Sequence, residues 1–172
     1  MNHSHYLTLP NALSGMRLLI APLMVWMLLS GWFAVALVLF IVAVASDLAD
    51  GYLARTLGQV TRLGRVLDHS ADAVLVCGIC SVYAYFGSLP VLLPLLIGFS
   101  FVQYVLDSEV LRGAQLRVSR LGRVNGIGYF VVAGMALVHS LLAMPWLGFL
   151  ITAVAWALVL SSLMSMALRL RK

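Results

Sequence analysis

The sequence has very few charged residues. Charged side chains make up 10% of the 172 residues, hydrophobic ones make up 63%, and the mean hydropathy is +1.04. Soluble domains are about half apolar and a quarter charged, so this chain has too little polar surface to cover a soluble core. The shortage of charge excludes an ordinary soluble globule and favours an integral membrane protein.

Cysteine and lysine are also scarce. Cys77 and Cys80 form a lone C-x-x-C inside an apolar run, whereas a structural zinc site takes about four ligands. The pair therefore indicates small residues packed on a helix. The ten arginines and the single lysine do not form one basic face of the kind that binds nucleic acid, so no nucleic-acid partner is predicted.

Long apolar runs are abundant. Crossing a bilayer takes about 20 apolar residues, and six runs qualify, with breaks at Gly31, at Gly87 to Pro90 and at Met144-Pro145. The predicted spans are residues 11–29, 32–53, 66–86, 90–111, 124–143 and 146–168. A cleaved signal peptide with residues 18–29 as its apolar region is the alternative for the first run. It is disfavoured because basic charge before the run is lacking and the apolar character continues beyond it.

The basic residues fall on one side of these spans. Arg17 lies near the start of span one, and the other basic residues lie in the two polar connections and at the C-terminus. These are Arg55, Arg62, Arg65, Arg112, Arg117, Arg120, Arg123, Arg169, Arg171 and Lys172. Cytoplasmic loops carry such an excess of positive charge. The predicted fold is therefore an all-α integral membrane protein with six transmembrane helices and both termini cytoplasmic. We expect one membrane domain over residues 1–172, with residues 1–10 as a juxtamembrane segment.

Four of the six acidic residues fall in one short segment: Asp47, Asp50, Asp68 and Asp72. A charge near membrane depth is costly and usually marks a site. The first pair is three residues apart and the second pair four, so each pair shares a helix face. A short connection between spans two and three would bring the pairs together.

Four converging carboxylates would repel one another unless a cation neutralised them. Oxygen-rich sites of this kind suit Mg²⁺, Mn²⁺ or Ca²⁺, and two such ions would stabilise both oxygens of a displacement at phosphorus. Gly51, Ala54 and Gly64 leave room for a ligand near the backbone, and Arg55 suits a phosphate. Together these residues imply a nucleotide diphosphate bound with metals. Taken singly, the small residues also fit close helix packing, and Arg55 also fits a topology signal.

These residues complete the pattern D-x2-D-G-x2-A-R-x8-G-x3-D-x3-D, which resembles the signature of the CDP-alcohol phosphotransferases, a membrane family of phospholipid synthesis. The pattern is satisfied by Asp47, Asp50, Gly51, Ala54, Arg55, Gly64, Asp68 and Asp72. Upstream, Pro10-Asn11-Ala12-Leu13-Ser14-x-x-Arg17 is similar to the start of the phosphatidylglycerophosphate synthase and eukaryotic-type cardiolipin synthase branches. His69 and Ala73 stand where many members of these branches have Pro and Lys, which leaves the acceptor open; His69 fits an exposed position or a group behind the metal ligands.

The resemblance implies roles for the signature residues. Asp47, Asp50 and Asp68 resemble metal ligands for Mg²⁺ or Mn²⁺, with two ions expected. Asp72 resembles the general base, with a contact to the second metal as a further expectation. Gly51, Ala54 and Gly64 would border the nucleotide, and Arg55 would hold its diphosphate.

The implied reaction transfers a phosphatidyl group from a CDP-alcohol such as CDP-diacylglycerol to an alcohol and releases CMP. Glycerol 3-phosphate is the first expectation for the acceptor, with phosphatidylglycerol, serine or inositol phosphate as alternatives. The family also implies a homodimer among membrane lipids. A bacterial inner membrane is expected, with the active site at the cytoplasmic face.

An arginine cluster before span five is the candidate acceptor site. It comprises Arg112, Arg117, Arg120 and Arg123, and Ser119 to Arg123 resembles the S-x-x-G-[KR] segment of glycerophosphate-type members. The cluster also fits a topology signal that attracts anionic lipid headgroups. Nearby, Gly122-x-x-x-Gly126 fits a helix-packing motif.

Two other functions are compatible with acidic residues in membrane helices. A divalent-cation transporter would carry them at mid-membrane on helices of both halves, unlike the pattern here. A catalytically silent scaffold is disfavoured by the complete signature.

Overall fold

The computed structural model describes residues 9–56, 62–106 and 120–170, and side chains are described for most of these positions. All regular structure in these ranges is helical, which confirms the all-α prediction. The helices are α1 (Leu9–Leu29), α2 (Phe33–Thr56), α3 (Arg62–Tyr85), α4 (Leu92–Leu106), α5 (Arg120–Leu142) and α6 (Pro145–Leu170).

The turns at one end of the bundle form where glycine was expected to break the spans. At Gly31 (φ 78°) the amide of Trp32 donates to the carbonyl of Met27, and the amide of Gly31 donates to that of Leu28. The same pair of bonds closes α3 at Gly87 (φ 74°). Both are Schellman caps, in which a left-handed residue ends the helix at little cost if it is glycine. The chain therefore reverses sharply, and successive helices run antiparallel.

The sides of the bundle are strongly apolar. Leu19, Trp26, Tyr85 and Phe149 are among many large side chains that are more than half exposed. Exposed apolar area on this scale is unusual for a water-soluble monomer and suits contact with lipid. Three helices are long and apolar enough to cross a membrane, namely Val66–Tyr85, Leu121–Leu142 and Pro145–Leu168. Ser14–Leu29, Phe33–Ala49 and Leu92–Val105 are shorter apolar helices, so the count of six crossings stays a prediction.

Small residues set the spacing of the helices. A side chain at Gly78 of α3 would come within 2.9 Å of Val25 on α1, and one at Gly128 of α5 within 2.5 Å of Leu158 on α6. Helix backbones approach closely where one of them lacks a side chain. The packing position is Gly128 and not Gly126, because a side chain at Gly126 would meet nothing within 4 Å. Of the pair expected to form a packing motif, Gly126 instead faces a cavity.

The two cysteines lie on α3, as expected of small packed residues. Both are free thiols, and Cys80 is fully buried in the core. The Sγ atom of Cys77 lies 3.4 Å from the carbonyl oxygen of Pro94 on α4. They serve the contact between α3 and its neighbours.

Candidate active site at one end of the bundle

The buried face of α1 ends in two polar residues. Ala21, Met24 and Leu28 are buried at a helical spacing, and the same stripe continues towards the N-terminus through Arg17 and Ser14, both also buried. Residues three and four apart share a helix face. The stripe that packs α1 against α3 therefore delivers a guanidinium and a hydroxyl to the end of the bundle.

The buried faces of α2 and α3 end in carboxylates at the same place. On α2 the stripe of Ala36, Phe40 and Ala43 leads to Asp47. On α3 a buried stripe runs back through Ile79 and Leu75 to the positions of Asp72 and Asp68. Helix α1 packs against both α2 and α3, and the acids lie in the C-terminal half of α2 and the N-terminal half of α3.

The three carboxylates form one cluster. One oxygen from each of Asp47, Asp68 and Asp72 lies within 4.8 Å of the others. The side chains are only partly buried, with 34%, 35% and 21% of their surface exposed. The structure thus brings together three of the four acids that spacing selected. The side chain of Asp50, on α2, lies outside the described residues.

Arg17 lies among these carboxylates. Its Nη1 donates to Oδ1 of Asp47 at 2.8 Å and also to Oδ1 of Asp72, and its Nη2 donates to Oδ1 of Asp68 at 2.8 Å. The Arg17 side chain is 1% exposed. Ser14 Oγ adds a longer contact of 3.4 Å to Asp68 Oδ1. A buried charge needs such partners, since an isolated one is very costly.

Arg17 and Ser14 are site residues that the spacing argument missed. In the sequence, Arg17 is predicted only as a charge near the start of a span, and Ser14 and Arg17 together contribute only to the family resemblance. Two signals were available: they are the last two fixed positions of the upstream motif, and they continue the apolar stripe of α1.

A cavity of about 500 Å³ opens beside the cluster. Asp47 of α2 and Asp72 of α3 line it, together with other residues of α3 and residues of α4, α5 and α6. Most of the lining is apolar, including Ile97, Phe101 and Phe130. A cavity of this size is in the range of small-molecule sites.

Two side chains that can carry a positive charge, Arg123 and His69, line the same cavity. Arg123 on α5 is exposed and lines it, so one member of the arginine cluster shares the cavity with two carboxylates of the acidic cluster. His69 on α3 stacks on Tyr104 of α4, with ring centroids 4.5 Å apart. His69 and Ala73, the two positions that depart from the family pattern, both line the cavity, and His69 is exposed.

A buried hydrogen-bond network joins α5 and α6 next to the cavity. Ser161 Oγ donates to Asn125 Oδ1 at 2.6 Å, and Asn125 Nδ2 donates to Ser162 Oγ at 3.3 Å. The hydroxyl of Tyr129 bonds the same Ser162 Oγ. Asn125 and Tyr129 both line the cavity, so the network holds their polar groups at its surface.

The remaining predicted site residues are placed less fully. Gly51 on α2 and Gly64 on α3 are partly buried. Side chains of Ala54, Arg55 and Arg120 lie outside the described part of the chain, as do residues Arg112 and Arg117 altogether. Their predicted roles towards nucleotide and acceptor stay predictions.

The donor atoms of the cluster fit a hard divalent cation. All three are carboxylate oxygens, the ligand type that Mg²⁺, Mn²⁺ and Ca²⁺ prefer. Their mutual distances allow one ion to contact all three. Three carboxylates and one guanidinium leave a net charge of two negative units, which one divalent ion would balance.

A helical bundle with apolar sides and a cluster of carboxylates at one end is typical of a membrane protein that binds a cation. The chain belongs to the CDP-alcohol phosphatidyltransferase family, whose model matches residues 7–163. It is therefore a transferase of phospholipid biosynthesis. Members of this membrane-bound family use CDP-alcohol donors with alcohol or lipid acceptors, and in general they depend on a divalent cation.

The chain is similar to relatives named as cardiolipin synthases and to relatives named as glycerol-3-phosphate phosphatidyltransferases. A Mycobacterium tuberculosis protein named "Putative cardiolipin synthase" is 34% identical over 98% of this chain and 88% of its own length. An Aquifex aeolicus CDP-diacylglycerol–glycerol-3-phosphate 3-phosphatidyltransferase is 36% identical over 46% of this chain and 45% of its own. A Streptomyces coelicolor CMP-forming cardiolipin synthase is 39% identical over 41% and 35%, respectively.

Proposed function

We propose that the protein transfers a phosphatidyl group from CDP-diacylglycerol to the free hydroxyl of a glycerol phosphate group and releases CMP. The observation that carries the proposal is the cavity, because carboxylates of the acidic cluster and Arg123 both line it. An alcohol bound between them would have a base at its hydroxyl and a cation at its phosphate.

Asp47, Asp68 and Asp72, together with Asp50, are proposed to hold two Mg²⁺ or Mn²⁺ ions. Bound there, the ions would offset charge on the diphosphate and on the departing CMP. Gly51, Ala54, Gly64 and Arg55 are proposed to border the nucleotide and its phosphates. These roles rest on the signature and on the place of its acids in the cluster.

Asp72 is the proposed general base. It belongs to the cluster and also lines the cavity, so it can reach both the donor phosphate and an acceptor. The acceptor O–H gives its proton to the Asp72 carboxylate, and its oxygen forms a bond to the phosphorus that carries the diacylglycerol. The bond from that phosphorus to the CMP oxygen breaks, and CMP leaves.

Glycerol 3-phosphate is the first candidate acceptor. Arg123 at the cavity wall suits a phosphate, with Arg112, Arg117 and Arg120 as proposed further contacts. Phosphatidylglycerol is the second candidate, for two reasons: most of the lining is apolar, and the relative that matches nearly the whole chain is named for cardiolipin synthesis. Both acceptors present a glycerol hydroxyl next to a phosphate.

The test is CMP release by purified protein with CDP-diacylglycerol and Mn²⁺ or Mg²⁺. The acceptor arms are glycerol 3-phosphate, phosphatidylglycerol, serine and inositol phosphate. We expect release with the first or the second. Asp72→Asn should lower it by at least about 100-fold, while the thermal unfolding midpoint serves as the folding control. No release with any acceptor, or full activity in Asp72→Asn, would contradict the proposal.

A divalent-cation transporter fits the described residues less well. Their acidic residues all lie on α2 and α3, whereas a transport site draws on both halves of the chain. Metal flux into vesicles without CMP release would favour transport.

We further propose that the protein forms one catalytic domain, acts as a homodimer and has its active site at the cytoplasmic face of a bacterial inner membrane.

A further inference from the structure

Arg17 lies within the acidic cluster, but the proposed reaction gives it no role. Its guanidinium contacts one oxygen of each of Asp47, Asp68 and Asp72. These are the three carboxylates whose oxygens are close enough to share a metal ion. The Arg17 guanidinium and a divalent metal ion would therefore bind the same three carboxylates.

We propose that Arg17 is a positioning residue that holds the three carboxylates together and competes with divalent cations for them. This inference rests on the proposed metal site. A guanidinium reaches two or more oxygens at once because its donors form a rigid fork, and here it joins residues of two helices, α2 and α3. It gathers the ligands, and its positive charge weakens the binding of a further cation at contact distance.

A purely structural tie would behave differently. If Arg17 only held the helices together, its loss would scatter the carboxylates and weaken metal binding. If its charge opposes a further cation more strongly than its contacts gather the ligands, as we propose, replacement by a neutral side chain strengthens metal binding. The two roles thus predict opposite signs for one measured quantity, the affinity for Mn²⁺ in the absence of substrate.

The variants are Arg17→Gln, which removes the charge, and Arg17→Lys, which keeps a charge but cannot bridge three carboxylates. The matched control is Arg123→Gln, the same substitution at a described arginine that lines the cavity and is not part of the described ion pairs with the three carboxylates. Mn²⁺ affinity is measured on purified protein by titration calorimetry or by the resonance signal of free Mn²⁺. We expect Arg17→Gln to bind Mn²⁺ about tenfold more tightly than the unmodified protein. Arg17→Lys should fall between them, and Arg123→Gln should change affinity by less than about threefold.

Thermal unfolding gives a second readout. In EDTA, Arg17→Gln should unfold at a lower temperature than the unmodified protein, because three carboxylates lose their counter-charge. Added Mn²⁺ should then raise its midpoint by more than that of the unmodified protein, since ligand stabilisation grows with affinity.

Equal or weaker Mn²⁺ binding by Arg17→Gln would overturn the competition. If that variant fails to fold, Arg17→Lys decides, because unchanged or weaker binding there overturns it equally. Failure of the unmodified protein to bind Mn²⁺ would overturn the metal site itself, and with it the proposed function. A result confined to the Arg17 variants leaves the metal site standing.

Discussion

At the residue scale, Arg123 is the arginine of the described residues that we expect to bind the acceptor, since it lines the cavity that Asp47 and Asp72 also line. Arg123→Gln should raise KM for glycerol 3-phosphate about tenfold, since a charge-assisted bond to a phosphate is lost. The KM for CDP-diacylglycerol should change little, and Arg123→Lys should recover part of the loss. Steady-state CMP release measures all three. An equal rise in both KM values would show that Arg123 does not act on the acceptor.

Tyr129 and Tyr83 offer a matched pair of hydroxyl deletions. The hydroxyl of Tyr129, which lines the cavity, bonds Ser162. The hydroxyl of Tyr83, which is not among the cavity-lining residues, bonds Ser140 Oγ at 2.8 Å. Each replacement by Phe should cost about 0.5–1 kcal/mol of stability, the usual value of such a bond. Only Tyr129→Phe should also raise KM for the acceptor, because only Tyr129 lines the cavity. The same kinetic change in Tyr83→Phe would mean that the effect is a general loosening of the bundle.

Sequence spacing located the acids but not their counter-charge. Asp47, Asp68 and Asp72 were predictable because acids are rare in this chain and their spacing repeats a helix face. Arg17 was not selected because arginines at helix ends are common in membrane proteins, and its contacts are with residues 30 to 55 positions away. Pairing across three helices depends on packing that one sequence does not specify.

At the element scale, the contact of α5 with α6 depends on one glycine. A methyl group at Gly128 would lie 2.5 Å from Leu158 Cδ2, while one at Gly126 would meet nothing within 4 Å. Gly128→Ala should therefore lower stability by about 1–3 kcal/mol, as overpacking does. Gly126→Ala is the control and should leave stability unchanged or raise it, because Ala favours helix. Unfolding in detergent measures both, and equal midpoints would contradict a tight contact at Gly128.

The helix ends were predictable where backbone chemistry decides them. Gly31 and Gly87 stop α1 and α3 because a left-handed cap favours glycine. The start of α3 was not predictable from apolarity alone: it begins at Arg62, four residues before the predicted span, since a helix continues beyond the apolar part of its sequence. The packing glycine was also misplaced, because Gly122-x-x-x-Gly126 has the right spacing but Gly126 faces the cavity.

At the scale of the whole molecule, the antiparallel order of helices puts the site residues that the structure describes at one end. The short turns after α1, α3 and α5 lie at the other end. Sequence predicts this order through the alternation of arginine-rich and arginine-free connections, and the common location of Arg17, Asp47 and Arg123 agrees with it. The side of the membrane on which the site lies stays a prediction.

That side can be measured with cysteines placed at exposed turn positions. Ser30 and Ser88 are exposed, in the turns after α1 and α3, and the predicted topology puts both outside the cytoplasm. In a background carrying Cys77→Ala and Cys80→Ala, Ser30→Cys and Ser88→Cys should react with a membrane-impermeant maleimide in intact bacterial cells. Ser4→Cys, in the predicted cytoplasmic segment, is the control and should react only after the cells are opened. CMP release by the cysteine-free background verifies that its fold is retained. Labelling of Ser4→Cys in intact cells, with protection of the other two, would invert the topology and place the acidic cluster on the outer face, where cytoplasmic CDP-diacylglycerol could not reach it.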